Sequence, residues 1–420
     1  MFLSLVATTW SAPIEAILDP QTLWSHTPDS FPQVAAPLGF RWNSQARDSA
    51  RSAAPGMTLG GIPVVELLAR FSDGKLSGIT AAIYTRGDAG EMSRGDFEAL
   101  VKRTVAVLSE LTGTAPQVRG KDPKNAVRAD GVIWQTAQTT WLLEYSVLRT
   151  ATGQGVTYRP DFLRLEVTQA KGSGGSVFAK ESSGGKKFEP KSRVKRTDNG
   201  DIWIDEVPMV DQGEKGYCVV ASAERVLRYY GMRVDQNELA QLAGSDPSKG
   251  TMFQAAMEGL KTAGHRLQFR VKPVDEPEFK EFEVLVQEYN RRVAKTDKEA
   301  IIAPLVGMID TSKVMLSMKP DVLRAIRASQ KSAFTKFQKS VALCVDSGQP
   351  LMWGVLLGLV PEKGTNVQTA GGHARLIIGY NTRTNELLYT DSWGAGHELK
   401  RMSMEDAWII NRYSLLLLPL

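Results

Sequence analysis

Cys218 stands where a glycine-containing loop, Gln212-Gly213-Glu214-Lys215-Gly216-Tyr217, runs into an apolar repeat of helical period that extends to Tyr230. The first turn of a helix carries unpaired N–H groups and the positive end of the helix dipole, and both favour an anion. A thiol of ordinary pKa is only about 3% thiolate at neutral pH, and a helix N-terminus with a histidine partner can bring that pKa down to roughly 3.5–7.5. Cys218 is therefore the candidate nucleophile. Gln212, upstream in the same loop, can set its side-chain NH₂ beside the backbone N–H of Cys218, and two converging donors make an oxyanion hole. Glycines in the loop allow close backbone approach to a substrate, which makes Gly216 and Tyr217 candidate substrate-binding residues.

A thiolate needs a base, and a base needs an orienting group. His373 opens an apolar strand after Gly371-Gly372, glycines that keep its surroundings open, so Gly372 joins the candidate substrate-binding residues. The strand turns at Asn381-Thr382-Arg383-Thr384-Asn385, and its partner ends in Thr390-Asp391-Ser392-Trp393-Gly394. Residues 373 and 391 are nearly equidistant from a turn centred on residue 383. An antiparallel hairpin therefore makes their ends neighbours and lets Asp391 hold the second ring nitrogen of His373.

These residues resemble a known family. A QGxxGxCxxAS segment, a later GH before an apolar strand, and a DSWG after it are similar to the papain-like cysteine peptidases, in particular to the bacterial group related to bacteriocin-processing peptidases. The resemblance covers about residues 205–415. It implies Cys218 as nucleophile, His373 as general base and acid, Asp391 as orienter and Gln212 as oxyanion donor, with Trp393 packed over the His–Asp pair at the substrate cleft. It implies thiolate attack on an amide carbonyl and hydrolysis of a thioester, with a peptide or protein as substrate and no cofactor. Lys215 and Val219 replace the signature's second cysteine and its following aromatic residue. Asp391 replaces the commoner Asn and should raise the pKa of His373. Two alternatives use the same residues: an acyl transferase of transglutaminase type, and a catalytically silent peptide-binding protein.

The rest of the composition excludes other chemistry. Two cysteines, Cys218 and Cys344, cannot build a disulfide framework, and their spacing gives no cysteine-based zinc site. Cys344, in Ser340-Val-Ala-Leu-Cys-Val345, reads as a small core residue. The four histidines contain no HxxxH pair, so no metal site is expected; His265 reads as a surface residue and His397 as a structural hydrogen-bonding one. A net charge of +5 with both signs scattered lacks the basic, aromatic-studded stripe of a nucleic-acid binder. No stretch approaches the roughly twenty apolar residues of a transmembrane helix.

The elements that must position these groups read as a two-domain α+β chain. Residues 1–20 read as an N-terminal extension or signal remnant, which favours a secreted or periplasmic location over the cytoplasm. Residues 21–170 read as a separate α+β domain, with strands at 62–71 and 78–84 joined by Ser72-Asp73-Gly74-Lys75 and a helix from the Ser93 cap to Leu111. Residues 171–200, rich in Gly, Ser, Lys and Arg, read as a flexible linker open to nicking at 191–196. Residues 201–420 read as the papain-like domain, a helical half followed by an antiparallel sheet half. Asp235 with Glu238 reads as a capping box, as does Thr251 with Gln254 before a helix ending at Gly264. Residues 276–345 read as a helical insert, and the Leu415–Leu418 run as a buried final strand. For the N-terminal domain three roles stay open: an inhibitory pro-segment, a substrate-recruiting module, or a folding partner.

Overall fold

The computed structural model describes residues 11–119, 127–153, 155–170, 188–246, 250, 253–276, 278–305, 309–362 and 370–420. The expected linker residues 171–187, Thr251 and residues 1–10 lie outside these. The chain forms two compact units interleaved in sequence: residues 1–182, 213–217 and 234–267 make the first, and residues 183–212, 218–233 and 268–420 the second.

The first unit is built on an antiparallel sheet. Its strands run in the order Arg41–Trp42, Ser49–Ser52, Glu66–Ser72, Lys75–Thr85, Gly155–Gln169, Thr139–Thr152, Asp130–Gln135 and Gln117–Arg119. Asp73 and Gly74, both at positive φ, make the turn between the third and fourth strands. The helix Arg94–Thr112 begins at Ser93, whose side chain accepts from the Asp96 N–H, and ends at left-handed Gly113. It lays Phe97 and Leu108 on the sheet, and Trp134 Nε1 donates to Ser109 Oγ at 3.1 Å. Residues 11–20 belong to this core: Ala12–Pro13 pairs with Met57–Leu59, and Ile14, Ile17 and Leu18 are buried. The helices Gln236–Ala243 and Phe253–Leu267 also belong to the first unit, although they follow the candidate nucleophile in sequence. Asp235 caps the former by accepting from the Asn237 N–H, while Glu238 turns instead to Arg164, so the capping box is replaced by an ion pair. The latter helix runs through Gly264 to Leu267.

In the second unit an antiparallel sheet runs in the order Val194–Arg196, Asp201–Ile204, Gly371–Asn381, Leu351–Leu357, Asn411–Pro419 and Phe269–Asp275. Glu386–Thr390 joins the Gly371–Asn381 strand on its other edge and carries Lys400–Ser403. Residues 188–200, expected in the linker, are built into this unit. Phe188 packs edge-on against Tyr229 and Tyr230, and Arg196 pairs with Asp346 at 2.7 Å, because an aromatic anchor and a strand partner were available to a segment of polar composition. The helix Cys218–Tyr229 packs on the Gly371–Asn381 strand. The helical insert forms Phe279–Val293, Thr311–Ser317, Pro320–Ser329 and Lys331–Asp346, and shares one core with the sheet through Tyr289, Leu323, Phe337 and Trp353.

Candidate active site

Cys218 begins its helix and is half-buried. Burial opposes ionisation of its thiol, but a hydrogen bond and charge from His373, with backbone N–H groups of Ala374 and Val219, outweigh it and pull the pKa below the ordinary thiol value. The helix is clamped to the strand pair behind it. Ser222 Oγ donates to the Ala374 carbonyl at 3.4 Å. Arg225, wholly buried, donates to the Asp391 carbonyl, to Thr390 Oγ1 and to the Pro208 carbonyl, each at 2.7 Å. One helix thus carries the thiol and also pins the backbone of the acid.

His373 Nε2 lies 3.0 Å from Asp391 Oδ1. Its Nδ1 is buried, and the Cys218 thiol interacts with the ring. Burial lowers the imidazole's pKa, but hydrogen bonds to Asp391 and Cys218 prevail and hold it above the usual histidine value. Asp391 is buried, which would raise its pKa, yet His373, His397 and the Arg375 charge keep the carboxyl well below its usual range. Thiolate beside imidazolium is the ionisation state these opposite shifts favour. The indole of Trp393 stacks on the imidazole, ring centroids 4.3 Å apart and planes within 16°.

The hairpin explains both the expected pair and an unexpected neighbour. The register matches Leu376 with Thr390 and Ile377 with Tyr389 before a bulge near Ile378. Continued along the strand, it brings Arg375 opposite Asp391 and puts His373 two residues further on the same face. Arg375 Nε accordingly donates to the same Asp391 Oδ1 at 2.7 Å, while its NH2 pairs with Glu362 at 2.8 Å. Lys400 Nζ lies 3.1 Å from Asp391 Oδ2, and His397 Nδ1 lies 3.9 Å from it. The His397 carbonyl accepts from the Asp391 N–H at 3.1 Å, a structural use of that residue. Only a counted register, bulge included, could have revealed Arg375.

Gln212 is buried. Its N–H donates to the Ser392 carbonyl at 2.9 Å, and its Oε1 accepts from Ser392 Oγ at 2.7 Å. Gly372 is exposed, and a Cβ there would lie 3.8 Å from Ser312 Oγ of the helical insert. Gly216 and Tyr217 belong to the first unit. Tyr217 is buried, and burial pushes its phenol up to about 12, so its side chain packs inward rather than offering a binding face. Cys344 is also buried, its thiol pushed up to about 11, and acts as core. Tyr413 was missed by sequence. It faces Gly354 across two strands, and a Cβ on Gly354 would fall 2.2 Å from its ring, so glycine gives the ring its place. Burial and then the charge of Cys218 raise the phenol's pKa, which sets Tyr413 among the groups around the sulfur.

A loop-to-helix thiol, a strand-borne imidazole and a buried carboxylate are thus brought together within the second unit, in the order that a nucleophile, a base and its orienting group require. Residues 204–273 match the Peptidase_C39 like family, a segment that includes Gln212 and Cys218 and stops before His373 and Asp391. Among solved structures, the chain is similar to the peptidase domain of Streptococcus ComA, a bifunctional ABC transporter involved in quorum sensing. The identity is 15%, with 51% of this chain and 100% of that one covered, at a TM-score of 0.26. It is also similar to xylellain, a cysteine protease from Xylella fastidiosa, at 12% identity and 58% and 91% coverage, with a TM-score of 0.28. No curated protein matches the chain. Among the described residues no helix is long and apolar enough to cross a membrane.

Proposed function

We propose that the protein hydrolyses peptide bonds through Cys218, His373 and Asp391, with Gln212 as side-chain donor to the oxyanion. The observation that carries this reading is the opposed pair of shifts, thiol down and imidazole up, across a His373–Asp391 hydrogen bond of 3.0 Å. The Cys218 thiolate attacks the carbonyl carbon and the amide oxygen takes up the electron pair. The backbone N–H of Cys218 and the Gln212 NH₂ stabilise that oxyanion as it develops. His373 protonates the departing amine, leaving a thioester. It then takes a proton from water, which attacks the thioester and releases the acid and the thiol.

Asp391 keeps the Nε2–H tautomer, so that Nδ1 faces the sulfur. Trp393 covers the ring and excludes water from the His–Asp bond. The test is a broad peptide library with product analysis by mass spectrometry, run beside Cys218→Ala. Turnover is expected from the native chain and a loss of at least about 10⁴-fold from the variant. A chloromethylketone should label only the native chain, and equal labelling of a folded Cys218→Ala protein would defeat the assignment.

A further inference from the structure

Residues 213–217, which lead directly into Cys218, are gripped within the first unit. Lys215 Nζ donates to Asp88 Oδ2 at 2.5 Å, and the lysine side chain is only 3% exposed. A Cβ on Gly87 would lie 2.8 Å from the Tyr217 hydroxyl and 3.1 Å from Lys215 Cδ, so both side chains press on backbone that glycine leaves bare. The Lys215 ammonium stands 5.3 Å from the centroid of the Tyr217 ring. Asp88 is itself fixed, its N–H donating to Thr85 Oγ1 at 3.2 Å at the start of the short helix Arg86–Ala89.

A second seam ties the helix Gln236–Ala243 to the same sheet. Arg86 donates to the Ser245 carbonyl at 2.7 Å, Ser146 Oγ bonds Gln241 Oε1 at 3.0 Å, and Arg164 binds Glu238 as well as Glu144. Pulling the N-terminal sheet away would part Glu238 from Arg164 and Lys215 from Asp88 and break the hydrogen bonds beside them, which is strongly unfavourable.

We infer that the N-terminal domain is a permanent scaffold for the loop preceding the nucleophile, with Asp88 and Lys215 as its positioning pair, and is no removable pro-segment. The inference rests on reading Cys218 as the nucleophile. The physical reason is the loop's composition: Gly213 and Gly216 give it conformational freedom, and a misplacement of about 1 Å at a reacting group can cost about 10²-fold in rate. Lys215 stands where the papain signature has its second cysteine, and here that position is fastened by charge.

The test uses the full chain with a site-specific protease sequence inserted within residues 171–187. After nicking without denaturant, the two fragments are expected to co-elute in size exclusion, and Cys218 to react with a fluorescent chloromethylketone at the intact rate. Fragments that separate overturn the proposal. In the unnicked chain, Lys215→Met and the shape-preserving Asp88→Asn should each slow alkylation at least tenfold at every pH, well below the melting temperature. Lys215→Arg, which keeps the charge, should restore part of the rate. Unchanged alkylation in the Met and Asn variants, even with a lowered melting temperature, would mean a purely structural contact and overturn the positioning role. Failure of the native Cys218 to label at all would sink the nucleophile reading instead, while co-elution would still decide the scaffold.

Discussion

In the first unit Arg164 binds Glu144 at 2.9 Å and also Glu238, and Arg119 closes on Glu144 at 2.5 Å. In the second, Arg375 binds Asp391 at 2.7 Å and Glu362 at 2.8 Å, and Lys400 closes on Asp391 at 3.1 Å. Both clusters put a buried carboxylate between two cations, and for Glu144 and Asp391 the partners' charges outweigh the burial that opposes ionisation. The difference lies in what else the carboxylate touches. Glu144 meets guanidinium groups that do not titrate near neutrality. Asp391 also meets His373, and through it a half-buried sulfur. The first cluster ends on guanidinium groups, and its one group that titrates near neutrality, Glu238, pushed up to about 7 by burial, meets no nucleophile, whereas the second ends on an imidazole and a thiol and can pass a proton between them.

The largest effect should come from Asp391→Asn, which tests the second cluster as a proton device. The carboxylate raises the pKa of His373, and the imidazolium lowers that of Cys218. The native kcat/KM should therefore rise with pH through a thiol pKa below its ordinary value and fall through an imidazole pKa above about 6.5. Removing the charge should move the acid limb up and the alkaline limb down, narrowing the active range, with a loss of about 10²–10⁴-fold at its best pH. It should also destabilise by about 3–5 kcal/mol, since Arg375 and Lys400 lose the buried carboxylate charge they share. Because the folded-state pKa of Asp391 is depressed, its stabilisation is fully present above about pH 4 and lost only as pH falls towards the folded value. Limbs that stay in place would reduce Asp391 to a structural residue like Glu144.

How legible these clusters were from sequence differed for physical reasons. Cys218, His373, Asp391 and Gln212 could be proposed because loop-to-helix and strand-to-turn boundaries leave local signals in glycine and apolar periodicity. Arg375 sat inside the apolar strand that was read for its hydrophobicity. Its role depends on a register two residues away from the simple hairpin count. Arg225 lay hidden in a helix read only for its period, and Tyr413 is recruited through Gly354 on another strand. The strands and helices of the N-terminal sheet were likewise visible as elements. The assignment of residues 213–217 and 234–267 to its unit depends on pairings such as Arg164 with Glu238, 74 residues apart. No local pattern encodes those.

Arg164→Met separates the two kinds of cluster from the other side. It leaves Glu144 and Glu238 buried with fewer partners and should cost about 3–5 kcal/mol, read as a lower melting temperature by calorimetry. Both limbs of the Cys218 alkylation profile should stay where they are, because no group of that cluster shares a proton with the thiol. A displaced limb would show that the two clusters are energetically joined.

The smallest effect should be that of Tyr413→Phe, which removes one hydroxyl and preserves the ring over Gly354. The phenol is buried and feels the charge on Cys218, so its loss takes a neutral dipole from the sulfur's surroundings and leaves both ionising partners. A single neutral hydrogen bond contributes about 0.5–1.5 kcal/mol, so kcat/KM should fall by no more than about tenfold. The acid limb should rise slightly if the hydroxyl stabilises the thiolate, while the alkaline limb, set by His373, should hold. Substituting the ring itself, as in Tyr413→Ala, should cost much more, because it opens a cavity beside Gly354. If Phe and Ala behaved alike, the hydroxyl rather than the ring would be what Gly354 accommodates, and Tyr413 would belong with the titrating cluster rather than with its packing.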